Sequence, residues 1–280
     1  MEPTTAPSLP PTWHRDQFKK PPVVMRRFVT RLDVSRELFD EKALPLMEEI
    51  QVAGKFDRKQ MKEQWDFHLE LKNKAPRPKV RLTHSPVLVR EASTGRPQTA
   101  LELFPPVDGK PAEFILEQDR SDESGSRFED LESECQAWLP LIMARFEVQR
   151  LGGFLLEYRN EIRRERYPVF WESEKKLILG KLLWLFQNNP GPGNFVTPFS
   201  VDFNTATSLG NASNIRFQMQ TMQVGKQDFA LAATLAYSSL ARQENGAIEE
   251  FWSEMTAAHG LIFDNFVRQF APGALEEFTR

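Results

Sequence analysis

The chain has 280 residues, 40% hydrophobic and 27% charged, with a net charge of −3. These values fit a globular protein with a sizeable core and argue against one that is basic overall, as a general nucleic-acid binder is. The single cysteine, Cys135, excludes an intramolecular disulfide and a cysteine-rich zinc site, and His14, His68, His84 and His259 lie too far apart for a helical metal motif.

Residues 1–20 are rich in proline, threonine and charge and read as a flexible arm. No membrane-spanning run and no basic-then-apolar leader is seen, so a cytoplasmic location is expected. Ordered structure is expected from "PPVVMRRFVTRLDV", where Val24, Phe28 and Leu32 suggest a strand. "SRELFDEKALPLMEEI" follows as a helix with Ser35 as N-cap and Leu38, Phe39, Leu46 and Ile50 on one stripe; Pro45 is expected to bend or break it. Four strands come next, "EQWDFHLEL", "KVRLTHSPVLVRE", "QTALELF" and "AEFILEQD". In the first, Trp65, Phe67, Leu69 and Leu71 alternate with polar residues, the period of a half-buried strand. An acidic loop then enters the amphipathic helix "FEDLESECQAWLPLIMARFEV".

The second half opens with "GGFLLEYRNEIRRERYPVFW", an apolar strand running into arginines and glutamates. A helix, "SEKKLILGKLLWLF", and a Gly/Pro/Asn loop, "QNNPGPGN", lead to three strands, "FVTPFSVDFNTAT", "NIRFQMQTMQV" and "DFALAATLAYSS". The final helix, "AIEEFWSEMTAAHGLIFDNFVRQF", meets a stop at "APG". At a constant offset of 120 residues the two long helices correspond: Leu131 with Phe251, Glu134 with Glu254, Ala137 with Ala257, Ile142 with Ile262, Phe146 with Phe266, and Pro140 with Gly260. The fold expected is therefore α+β, with two related halves (21–148 and 149–280) arising by internal duplication. Each half runs strand, helix, antiparallel strands, long helix, with the helices across one sheet face.

Three stretches, "KPPVVMRRF" (Lys20–Phe28), "LEYRNEI" (Leu156–Ile162) and "AAHGLIFDNFVRQFAPGALEEF" (Ala257–Phe278), together resemble a sporadically distributed family of uncharacterised bacterial proteins. Members open on a Pro-Pro-Val strand, carry a Leu-x-Tyr-x-Asn strand in mid-chain and end in an Ala-His…Phe helix. The resemblance implies a bacterial, cytoplasmic, non-secreted protein of an accessory system. It brings no catalytic residues with it, and the basic run after the asparagine and the long N-terminal arm depart from its pattern.

Candidate site residues lie on the mid-chain strand and the last helix. In "FLLEYRNEI" one face presents Phe154, Leu156, Tyr158, Asn160 and Ile162, so Asn160 is a polar residue on an apolar face and needs a hydrogen-bond partner. The other face presents Glu157, Arg159, Glu161 and Arg163 as a charged ladder. Arg163, Arg164 and Arg166 have the fork geometry that suits phosphate, but Glu161 and Glu165 interrupt the run, which favours ion pairing over nucleic acid. His259 sits within an apolar stripe as a packed or capping histidine. No phosphate loop or nucleophile elbow is present. The reading is a non-enzymatic binding or interaction protein, needing no cofactor or metal and self-associating as a homo-oligomer. A nucleic-acid role for Arg159–Arg166 is one alternative, and an enzyme site assembled between the halves is another.

Overall fold

The alternation in the opening strand decides which side of the sheet carries the core. The computed structural model describes residues 13–18, 21–72, 75–93, 97–119, 128–149, 151–173, 176–184, 194–196, 200–203, 213–224, 228–239 and 248–280. Residues 1–12, the acidic loop at 121–127 and the glycine-rich loop at 187–193 lie outside the described residues. In β1 (Val23–Leu32), Arg26, Phe28, Thr30 and Leu32 point to one face and are buried. β1 pairs antiparallel with β5 (Ala112–Asp119) on one side and β6 (Leu151–Arg163) on the other, so Phe28 lies level with Leu116 and Leu156.

The first half adds β2 (Arg58–Lys72), β3 (Ala75–Arg90) and β4 (Gln98–Phe104); the second adds β10 (Ser200–Phe203), β11 (Ser213–Val224) and β12 (Asp228–Ser239). The nine strands stand in the order β10-β11-β12-β6-β1-β5-β4-β3-β2. From the β6–β1 junction each half runs outward in one order: its first strand, then its last, then back through the sequence to the edge. The protein is α+β, with two halves related by this order and with its helices across one face.

α1 (Arg36–Gly54) begins where the Ser35 hydroxyl accepts the Leu38 N–H at 3.2 Å. It runs unbroken through Pro45, contrary to the break expected there, and α2 (Phe128–Arg145) likewise runs through Pro140. Both prolines lie on the solvent side, so water can take the carbonyls they leave unpaired. The buried positions of α2 and α4 (Ile248–Gln269) coincide at the 120-residue offset, Leu131 with Phe251, Cys135 with Met255 and Ile142 with Ile262. Phe28 meets Phe114, Phe154 and Phe251 at ring separations of 6.2, 5.8 and 6.0 Å, joining both halves in one core.

Between β6 and β10 the second half carries β7 (Trp171–Ser173), β8 (Lys176–Ile178), the one-turn helix α3 (Leu179–Leu182) and β9 (Asn194–Val196), with β7, β8 and β9 forming a separate small sheet. The helix expected over "SEKKLILGKLLWLF" is therefore, in its described part, a short strand and a single turn. Leu177, Leu179, Leu182 and Leu183 are all buried, too many directions for one helical stripe, and Gly180 weakens a helix further. The strand expected over "FVTPFSVDFNTAT" is divided between two sheets as β9 and β10. The long helix stops before "APG" as expected, and Pro272 then opens a further helix, α5 (Pro272–Thr279), whose Phe278 packs on Tyr167, Phe170 and Phe270.

If the Phe28 cluster holds the halves together, Phe28→Ala should lower unfolding free energy by about 3–5 kcal/mol in urea denaturation. The exposed Arg31→Gln control on the same strand should change it by less than about 0.5 kcal/mol.

Candidate functional site

Two of the residues singled out in sequence meet in space. The β6 register places Tyr158 on the helix face opposite Arg26 of β1 and Leu235 of β12, while α4 lays His259 above it. The Tyr158 Oη and His259 Nδ1 are 2.8 Å apart. Phe128 of α2 stacks on the imidazole with ring centroids 4.0 Å apart, and the Arg26 guanidinium lies 5.8 Å from the Tyr158 ring. Burial, with the positive charges of Arg15 and Arg26 adding to it, lowers the His259 pKa to about 3. Burial also pushes the Tyr158 phenol well above its ordinary value. The pair is thus a neutral phenol hydrogen-bonded to a neutral imidazole.

Residues 13–18, expected to belong to a flexible arm, cap this region. Phe18 packs edge-on against Phe263 and Phe266 of α4, Trp13 packs on Phe18, and Arg15 lies 5.5 Å from the Phe263 ring. Gly260 permits that approach, since an added Cβ would stand 3.3 Å from the Arg15 guanidinium. Asn160 does not join the pair: it is fully buried and donates to the Ala233 carbonyl at 3.1 Å. No described group accepts or donates at its Oδ1. Cys135 is buried, which pushes its thiol up, and among the described residues no three His, Cys, Asp or Glu side chains group as metal ligands.

The arginines of the basic run turn toward acids and an aromatic ring. Arg159 donates to Glu161 at 2.9 Å, and Arg163 donates to the same carboxylate through Nε and Nη2 at 2.8 and 2.6 Å. Glu161 is only 6% exposed, so one buried carboxylate holds two guanidinium groups. Arg166 lies 5.4 Å from the Tyr167 ring, Arg164 makes contacts of its own, and Lys176 pairs with Glu172 at 2.9 Å.

The least expected feature is on the far edge of the sheet. β2 and β3 pair from Arg58↔Val89 to Lys72↔Ala75, but β3 pairs with β4 only over Val87–Arg90. Beyond β4 the hairpin is a two-stranded ribbon roughly 40 Å long. Trp65 opposes Leu82 and Phe67 opposes Val80 on the helix-side parity, past the reach of the helices. Their exposures of 54%, 37%, 73% and 51%, with Met61 at 50%, contradict the half-buried strand read from the alternation. The pattern identified an apolar face correctly; nothing in the strand itself tells whether a helix reaches far enough to cover it. Three prolines in β3, Pro76, Pro78 and Pro86, were the available sign that its other edge is not fully paired. At the ribbon's base a cleft of about 790 Å³ lies between α1's start, β3 and the β4–β5 turn, lined by Asp33, Arg36, Arg81, His84, Asp108 and Lys110. Asp108 and Gly109 both have positive φ, as a tight hairpin turn needs, and Asp108 pairs with Arg81.

No protein-family profile and no curated protein matches the chain. Solved structures are similar at low level, two di-domain proteins among them. The di-domain ARO/CYC StfQ from the steffimycin biosynthetic pathway shares 8% identity at a TM-score of 0.22, over 86% of this chain and 95% of that one. The di-domain ARO/CYC BexL from the BE-7585A biosynthetic pathway shares 10% at 0.23, over 87% and 96%. Likeness at this level decides neither fold nor activity.

Two outcomes follow from the site geometry. Because His259 is held neutral in the fold but titrates near 6.5 when unfolded, the unfolded chain binds the extra proton between those values. Stability therefore falls as pH drops from about 6.5 toward 3, with a contribution of at most about 1.4 kcal/mol per pH unit. The urea midpoint of His259→Gln should decline less over that range than wild type, and an equal decline would remove this role for His259. For the arginine run, single- and double-stranded DNA and RNA should not bind in low salt. Tight binding lost in an Arg163→Glu, Arg164→Glu variant and at moderate salt would reverse the assignment.

Proposed function

We propose that this is a non-enzymatic binding or interaction protein whose contact surface is the β2–β3 ribbon. The observation that carries the reading is the exposed ladder of Met61, Trp65, Phe67, Val80 and Leu82 on one face of a projecting hairpin. Together these side chains expose on the order of 500 Å², at the upper end of what a monomer leaves in one patch. Tryptophan and phenylalanine are among the residues that anchor protein interfaces. The Tyr158–His259 pair, by contrast, is largely covered by Phe128 of α2 and the Trp13–Phe18 segment, and neutral partners packed on Phe128 suit a structural role. The bacterial, cytoplasmic setting and the accessory role are taken from the family resemblance, and the shared strand order of the halves supports their origin by duplication.

A photo-reactive amino acid placed at position 67 should form protein adducts in the host cell, whereas one at position 52 should form none. Val52 is 81% exposed but lies on α1, away from the ribbon. Absence of adducts at position 67, or equal yield at both positions, would overturn the reading.

A further inference from the structure

The ribbon has an outer edge as well as an apolar face. β2 is the terminal strand of the sheet, and its strand partner among the described residues is β3. Natural edges are blunted by proline, bulges, free charge or shortness. β3 carries three prolines, but β2 reads RKQMKEQWDFHLELK, fifteen residues with neither proline nor glycine, and its register with β3 is unbroken. Among the described side chains of β2, Arg58 pairs with Glu91 at 3.0 Å, Lys59 with Glu48 at 2.7 Å and Lys62 with Glu102 at 2.8 Å. The edge is long, regular and weakly defended. A two-stranded ribbon is also marginal in water and gains stability from a third strand.

We infer that β2 pairs antiparallel with β2 of a second copy of this chain, about a two-fold axis at Gln64. This rests on the binding role proposed above and names its partner. Directly opposed residues in an antiparallel pair share a face, so a two-fold axis normal to the sheet must pass through a residue position. With the axis at Gln64, Met61 opposes Phe67 of the second copy and Glu63 opposes Trp65. The apolar residues of both copies then form one strip, continued on β3 by Leu82 and Val80. On the opposite face Lys62 stands across from Asp66 of the second copy, twice, around a central Gln64–Gln64 pair. The Lys62 ammonium has donors left after Glu102 for this contact. Shifting the axis one residue either way separates Lys62 from Asp66. The result is a four-stranded layer, β3-β2-β2-β3, held by main-chain hydrogen bonds along the edge and by the two Lys62–Asp66 contacts.

Sedimentation of the full chain, with engineered cysteines, tests this. Wild type should be dimeric at micromolar concentration and Gln64→Pro monomeric, with circular dichroism showing that the variant folds. Asp66→Lys, which sets two lysines against each other, should weaken the dimer at least about tenfold and serves if the proline variant does not fold. Gln64→Cys should form an interchain disulfide on mild oxidation, since the axis brings its Cα atoms within bonding range. Gln60→Cys, four residues off the axis, should not. A wild-type monomer, a dimer indifferent to both Gln64→Pro and Asp66→Lys, or equal crosslinking at positions 60 and 64 would overturn the inference. A monomer that still forms adducts at position 67 with another protein would leave the binding role standing and remove self-pairing; loss of both would remove both.

Discussion

The antiparallel pairing of β1 with β6 is the constraint on which the rest of the structure depends. Each half taken alone has its first strand at an edge and would expose that strand's backbone. Joined, the two edges satisfy one another from Val23↔Asn160 to Leu32↔Leu151, and nine strands become one sheet. The register also fixes parity. Because Phe28 lies opposite Leu156, the apolar residues of that parity between the two register shifts fall on the same face, and α2 and α4 cover the same side.

That shared face explains why Tyr158 and His259 meet. His259 corresponds to Leu139 in the offset between the long helices, a buried position in the first half. In the second half the equivalent place lies over the β1–β6 junction, where Arg26 and Tyr158 bring polar atoms into the core. An imidazole there gives the Tyr158 hydroxyl a hydrogen-bond partner that leucine would not, while its ring still packs on Phe128. The polarity of the pair thus follows from where the junction falls. Its burial keeps the imidazole neutral, so it contributes cohesion at neutral pH and becomes a weakness only in acid.

Much of this was legible in sequence because it rests on local rules. Runs of strand character located β1, β4, β5, β6, β11 and β12, the Ser35 cap marked α1, and the order of elements matched between the halves. What escaped was set by reach and surroundings. Pro45 and Pro140 survive inside helices because their free carbonyls face water, which is a matter of helix orientation. The leucines of 177–183 read as helical because the stripe is broad, yet they are buried from several sides against α5 and η2 (Pro168–Phe170). Of the candidate site residues, Tyr158 and His259 came together, Arg159 and Arg163 shared Glu161, and Asn160 turned to the Ala233 carbonyl. Spacing along the chain carried none of those pairings.

The ribbon shows the same limit from the other direction. Alternation in β2 states that one face is apolar, and the sheet confirms which face that is, since Trp65 and Phe67 share the parity of the residues beneath the helices. Whether such a face is buried depends on helix length. α1 ends at Gly54, where Lys55 adopts a left-handed conformation and turns the chain directly into β2. From that turn β2 runs fifteen residues, and an extended chain covers more than twice the distance per residue that a helix does. Opposed to a helix of nineteen residues packed at the sheet's base, the strand therefore outruns its cover. Shortening the hairpin to the length β4 can pair would remove the exposed ladder without touching the core, because Phe28, Phe114, Phe154 and Phe251 all lie on the far side of β4 from it. The core does not require the ribbon, and no described residue covers its apolar face.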